Sequence, residues 1–146
     1  AEAPSLSPLC LTRLTQHLLP SSPKPAALVA CAQRELREET SLTLPPTAPL
    51  RFIFRAITPP GSPRRFDARF FLADADHIDG ALEDFSGAED ELSHLHWVSL
   101  EETRSLDLPF ITEIVLAELR ALLAGHDQQG VPFFDNSGDV PCFRRL

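Results

Sequence analysis

Residues 26–44, AALVACAQRELREETSLTL, constrain this chain more than any other stretch. At about 100° per residue, a helix through it places Glu35 and Glu39 one turn apart with Glu38 beside them. Val29, Ala32 and Leu36 gather roughly a quarter-turn round, as a stripe able to pack on a core. Like charges at these spacings oppose one another by roughly 0.2–0.5 kcal/mol per pair. A divalent cation held by hard carboxylate oxygens would offset that repulsion. A solvated helix face, with Arg34 and Arg37 pairing locally with the acids, has the same pattern. Both readings stand at this point.

Composition narrows the partners. With 146 residues, 43% of them hydrophobic and 23% charged, the chain is long enough for a core and ordinary for a globular domain. Its net charge of −8 argues against a nucleic-acid footprint, because phosphates would be repelled unless cations bridged them. An anionic phosphate substrate is still admissible if metal ions sit in the site. No apolar run approaches the ~18 residues of a membrane span, and residues 1–25 lack the basic start of a secretory signal. Cys10, Cys31 and Cys142 are too scattered for a disulfide framework or a zinc knuckle, which suggests a reducing cytoplasm. Fourteen prolines against six glycines imply stiffened loops.

Ser7-Pro8 reads as an N-cap and first helical residue, with Leu11, Leu14 and Leu18 repeating until Pro20. SSPKP then serves as a linker. The acidic helix follows, from near Ala26 to Thr40, and Pro45-Pro46 makes a break. LRFIFRAIT (50–58) alternates and reads as a strand, TPPGSP as a turn, and RFDARFFL (65–72) as a second, antiparallel strand. Residues 74–90 form an acidic loop. LSHLHWVSL (92–100) reads as a third strand, on which His94 and His96 share a face; two histidines without a third ligand make a poor zinc site. A short helix starts at Leu100. Residues 108–124 are amphipathic, with Ile111, Val115, Leu119 and Leu122 on one core-facing side and Gly125 as cap. The tail has strand-like pieces broken at Asn-Ser-Gly. These elements predict an α/β or α+β fold.

Ala32, Arg34, Glu35, Leu36, Glu38, Glu39 and Leu42 together resemble the second half of the Nudix box, REUxEExGU with U aliphatic. The downstream order agrees: box helix, strand, turn, strand, acidic loop, then ELSHLHWVSLEE, where Glu91 precedes Trp97 as an acid precedes Trp-Val in many Nudix domains. Residues 57–72, ITPPGSPRRFDARFFL, further resemble the subfamily with a box insertion that includes peroxisomal CoA-diphosphatase-type members. The resemblance spans roughly residues 26–124. It implies an α/β/α sandwich with a mixed sheet, and a division into an insertion-like helix and linker (1–25), a catalytic domain (26–125) and a C-terminal extension (126–146).

The first half of the box does not match. Its glycine falls at Pro20, its glutamate at Ala26, and Ser41 replaces the final glycine. Either residues 1–25 are an insertion, with the Gly-Gly loop and N-terminal strands lying upstream of this chain, or the first half is degenerate and the domain is a non-catalytic module binding a nucleotide or a protein.

If catalytic, the resemblance implies a Mg²⁺- or Mn²⁺-dependent diphosphatase acting on a small-molecule nucleoside-diphosphate-type substrate, CoA or acyl-CoA among them, with neither nucleic acid nor membrane as partner. Glu35 and Glu39 would be the main metal ligands, and Glu38 a ligand to a second metal. Arg34 would orient the carboxylates. Glu91, or its neighbours Glu89 and Asp90, would add a ligand or a base for water. Arg64 and Arg65, at a turn rim, are candidate phosphate clamps, with an ordinary surface pair as the competing reading. Phe66 is a candidate for stacking on a base, with core packing as the alternative. The leucine-rich N-terminal segment offers a surface for pairing with a second copy.

Overall fold

The structure, a computed structural model, describes residues 5–16, 22–89 and 92–146. The chain divides into two compact units, one of residues 1–51 and 72–98, the other of residues 52–71 and 99–146.

The first unit begins with α1 (Pro8–Thr15), capped by Ser7, whose Oγ accepts from the Cys10 N–H at 3.2 Å. Pro8 occupies the first helical position, where its missing N–H costs nothing. Leu14 and Cys10 are the buried side chains of this helix. It ends by Thr15, short of Pro20, which lies outside the described residues. Beside it lies α2 (Pro25–Thr40), again opened by a proline and packed through Val29. This helix stops at Ser41, whose φ of +68° is the left-handed turn that ends helices and that glycine adopts most cheaply. Leu42 and Ala48 are buried just beyond, and the Asp79 N–H bonds to Thr43 O at 2.9 Å, holding the acidic loop to the segment after α2.

The second unit holds most of a four-stranded sheet in the order β2-β1-β3-β4. β1 (Leu50–Ile57) and β2 (Asp67–Ala73) form a hairpin. The pairs Thr58–Phe66, Phe54–Phe70 and Phe52–Phe71 step in opposite directions along the chain, so these strands are antiparallel. β3 (Pro132–Asp135) lies parallel to β1, with Arg55 opposite Phe133, and β4 (Cys142–Arg145) runs antiparallel to β3. The parallel β1–β3 pair requires the long crossover that carries α3 (Phe110–Leu123). Helices with a mixed sheet are the α/β architecture anticipated.

Three expectations need correction. β1 does not alternate: Phe52 through Ala56 are all buried, because an interior strand is covered on both faces. Residues 92–100 are not a strand. His94 has φ +58°, which breaks an extended run, and the His96 Nδ1 instead meets His94 O at 2.8 Å; β-forming residues without a partner strand do not make one. The face of α3 bearing Ile111, Val115, Leu119 and Leu122 is half-buried, with no residue of the helix fully buried. Its anchorage is partly polar: the Arg120 guanidinium donates to Thr103 Oγ1 at 2.6 Å and to Leu100 O at 3.2 Å. After α3, the buried Gln128 amide donates to Ile53 O at 2.9 Å and Glu118 Oε1 at 2.8 Å, tying the loop to β1 and the helix.

Candidate functional site

In the first unit, α2 presents Arg34, Glu35, Glu38 and Glu39 within its last two turns. Arg34 is the hub. Its Nη2 lies 2.6 Å from Glu35 Oε1, and its Nε lies 3.5 Å from Glu38 Oε2. Glu38 Oε1 is also 3.7 Å from Arg37 Nη2. The Glu35 carboxylate, with Cys31 and Glu38 adding to it, holds the Arg34 guanidinium pKa above its ordinary value. Cys31 belongs to this cluster too, since Arg34 Nη2 approaches its Sγ at 3.6 Å. Its i,i+4 spacing to Glu35 was the available signal for that.

The acidic loop reaches the same helix: the Glu89 N–H donates to Glu38 O at 2.8 Å, filling one of the carbonyls left open near the helix end. Close approach is needed there. A Cβ on Gly87 would sit 2.9 Å from Ser41 Oγ. Asp90 and Glu91 lie outside the described residues.

The donor set suits a hard divalent cation, being carboxylate oxygen throughout. In this arrangement Glu35 and Glu38 face arginines, and among the described residues no group of three or more His, Cys, Asp or Glu is placed to hold a metal.

The other sequence candidates lie in the second unit. Arg64 and Arg65 are exposed in the β1–β2 connection, with no ion pair among the described residues. Phe66 is 57% exposed rather than core. Its backbone N–H donates to Thr58 Oγ1 at 2.8 Å, closing the hairpin. Phe70 and Phe71 do pack, edge-on against Phe54 and tilted against Phe52, with ring centroids 6.0 and 5.9 Å apart.

One charged cluster was not anticipated. Asp67 accepts two hydrogen bonds of 2.8 Å from Arg55, Nε to Oδ1 and Nη2 to Oδ2, and its Oδ2 lies 2.9 Å from Arg69 Nη2 as an ion pair. Both arginine side chains are only 5% exposed, and Arg55 also stacks over Phe133 at 4.4 Å. Two guanidinium groups thus share one carboxylate. Burial pushes the Arg69 pKa down, with Asp67 opposing and Arg55 reinforcing the shift.

The NUDIX domain family model matches residues 24–119, nearly two thirds of the chain. This chain belongs to the Nudix family, hydrolases of nucleoside-diphosphate-linked substrates. No match was found among curated proteins or among solved structures. The matched span includes α2 with its three glutamates and ends within α3. Among the described residues no helix is long and apolar enough to cross a membrane.

Proposed function

We propose that the chain is a divalent-metal-dependent pyrophosphohydrolase of the box-insertion subfamily, cleaving the diphosphate linkage of CoA or an acyl-CoA. The observation that carries this reading is the end of α2, where Glu35, Glu38 and Glu39 lie within five residues and Arg34 pairs with the first two, inside the NUDIX-matched span. Glu35 and Glu39 would hold Mg²⁺ or Mn²⁺, and Glu38 would complete a second position. When bound, the cation would neutralise charge on the diphosphate oxygens and lower the barrier to attack by water. Arg34 aligns the carboxylates and limits their mutual repulsion. Glu91, or Glu89 or Asp90 beside it, would accept the proton of the attacking water. Arg64 and Arg65 would take the phosphates, and Phe66 a ring of the substrate. Cys31 and Cys142 are free and exposed thiols, in keeping with a cytoplasmic location.

The test is release of phosphate-bearing products from CoA, acyl-CoA, ADP-ribose, NADH and dinucleoside polyphosphates. Activity with Mg²⁺ or Mn²⁺, abolished by EDTA and by Glu39→Gln, is the expected result. A chain inert on every member with both metals overturns the proposal. The departures at Pro20 and Ala26 favour one second reading, a non-catalytic nucleotide- or protein-binding module. Ligand stabilisation indifferent to EDTA, without turnover, would select it.

A further inference from the structure

β4 is the last strand of the sheet, and β3 covers only one of its flanks. The register tells which of its backbone groups face outward. Val131 and Leu146 exchange both hydrogen bonds, at 3.0 and 2.9 Å, so Arg145 opposite Pro132 and Phe143 opposite Phe134 are the non-bonded pairs of this antiparallel ladder. The N–H and C=O groups of Phe143 and Arg145 therefore point away from β3. None of them has a backbone partner among the described residues. Beside that open flank, in the same unit, α3 and β4 wall two adjoining hollows. One, of about 380 Å³, is lined by Ile114, Pro132 and Phe143; the next, of about 580 Å³, reaches Leu122 and His126. Glu118 and Arg145 line both. The Phe143 ring is 56% exposed at one end of this trough. The strand is also basic in a chain of net charge −8. Arg144 and Arg145 are about half-exposed, and each is held only loosely, 3.6 Å from Asp135 and from Glu118 respectively. Those two carboxylates are engaged elsewhere, Asp135 by the Ser137 hydroxyl and Glu118 by the Gln128 amide.

We infer that β4 and the trough beside it dock an extended, acidic peptide segment of another protein, added antiparallel to β4 as a fifth strand. Main-chain bonds to Phe143 and Arg145 supply the affinity common to strand addition, and pockets for alternate side chains supply the selectivity. An apolar side chain of the segment fits against Phe143, Ile114 and Pro132. Its carboxylates meet Arg145 on the α3 side of the sheet and Arg144 on the other, because successive residues of a strand face opposite ways. A second copy of this chain is the poorer occupant. Antiparallel pairing of β4 with itself sets Arg144 and Arg145 against their own counterparts, and like charges facing across strands are destabilising. The arginines that guard this edge against self-association thus favour an acidic strand. The inference goes beyond the proposed function and stands whether or not α2 supports hydrolysis.

The test is an NMR titration of the ¹⁵N-labelled full chain at low ionic strength, without metal or nucleotide. The probe is an acetylated, amidated hexapeptide alternating Glu and Val. Its binding should shift the Phe143 and Arg145 amides and slow their hydrogen exchange, since both become bonded. Arg144→Ala and Arg145→Ala should each weaken it about 2- to 5-fold, and added salt should weaken it as well. Two control peptides probe the partner's side and leave the protein untouched. A Lys–Val hexapeptide reverses the charge, and a Glu–Val hexapeptide N-methylated at every residue keeps the charge but loses its donors; both should bind far more weakly. The inference is overturned if millimolar Glu–Val peptide leaves the two amides unmoved, or if either control binds as well as the probe. Exchange protection of the same amides that grows with protein concentration, and needs no peptide, assigns the edge to a second copy and overturns it too.

Discussion

Asp67→Asn is the substitution that most directly tests how the second unit is held together. The Asp67 carboxylate carries three contacts of 2.8–2.9 Å to Arg55 and Arg69, whose side chains are 5% exposed. Removing one partner of a buried ion pair costs about 3–5 kcal/mol, whereas an exposed pair contributes about 0–1. Asp67 itself is 37% exposed, so solvent already screens part of the interaction. A loss of about 2–3 kcal/mol follows, since the asparagine oxygen can keep one bond but its NH₂ must face a guanidinium. Urea denaturation followed by far-UV circular dichroism measures it. The same experiment on Arg69→Met has a different expected outcome. Arg69 Nε and Nη2 are buried without a hydrogen bond among the described residues, and the charge sits beside that of Arg55. Its removal should therefore move stability by less than about 1 kcal/mol in either direction. In the double variant, part of the Asp67→Asn loss should return. If Asp67→Asn unfolds within about 0.5 kcal/mol of the parent, the two guanidinium groups do not depend on this carboxylate, and the electrostatic account of the hairpin fails.

Other expectations can be checked alongside. Ser41→Gly should raise stability by about 1 kcal/mol, because φ +68° costs serine what it does not cost glycine; thermal unfolding reads the shift. Gly87→Ala should destabilise the parent through its approach to Ser41 Oγ, and much less in the Ser41→Gly background. The Ser137 hydroxyl, and less strongly its backbone N–H and Arg144, hold the Asp135 pKa below its ordinary value against the opposing effect of burial. That contribution is present above the unfolded pKa of about 3.9 and is lost as pH falls through the lower folded value. Ser137→Ala should thus raise the Asp135 pKa in a carboxyl NMR titration, and an unmoved pKa would refute the assigned cause. Gln128→Leu should cost about 1–3 kcal/mol in urea unfolding, by leaving Ile53 O without its donor.

What sequence made legible was local. α2 could be bounded within a residue because its helical apolar spacing is local, although Pro25, its first residue, reads in sequence as the close of the SSPKP linker. The β1–β2 hairpin was equally plain, since its pairing and turn lie within one short segment. The parallel seat of β3 beside β1 was not, because nothing in four residues of PFFD names a distant partner. The supposed strand at 92–100 shows the converse: Val98 and Trp97 have β-propensity, yet the indole N–H donates to Leu82 O at 2.8 Å in a loop. For the glutamate turn, spacing told which side chains share a face but not that Arg34 would occupy two of them. The Asp67 cluster stayed hidden because the pairing of Arg55 with Asp67 depends on how β1 is registered against β2, and Phe133 joins Arg55 only when β3 seats beside β1.

The parallel pairing of β1 with β3 carries a kinetic consequence. The Gln128–Ile53 strap joins positions 75 apart, and the β1–β3 ladder closes a loop of similar length. Such closure is entropically late, so the hairpin should form early and wait with one flank of β1 uncovered. That flank, Phe52 to Ala56, apolar but for Arg55, is an unpaired edge able to join another nascent chain. Slow refolding and a yield that falls with protein concentration are the behaviour this topology dictates.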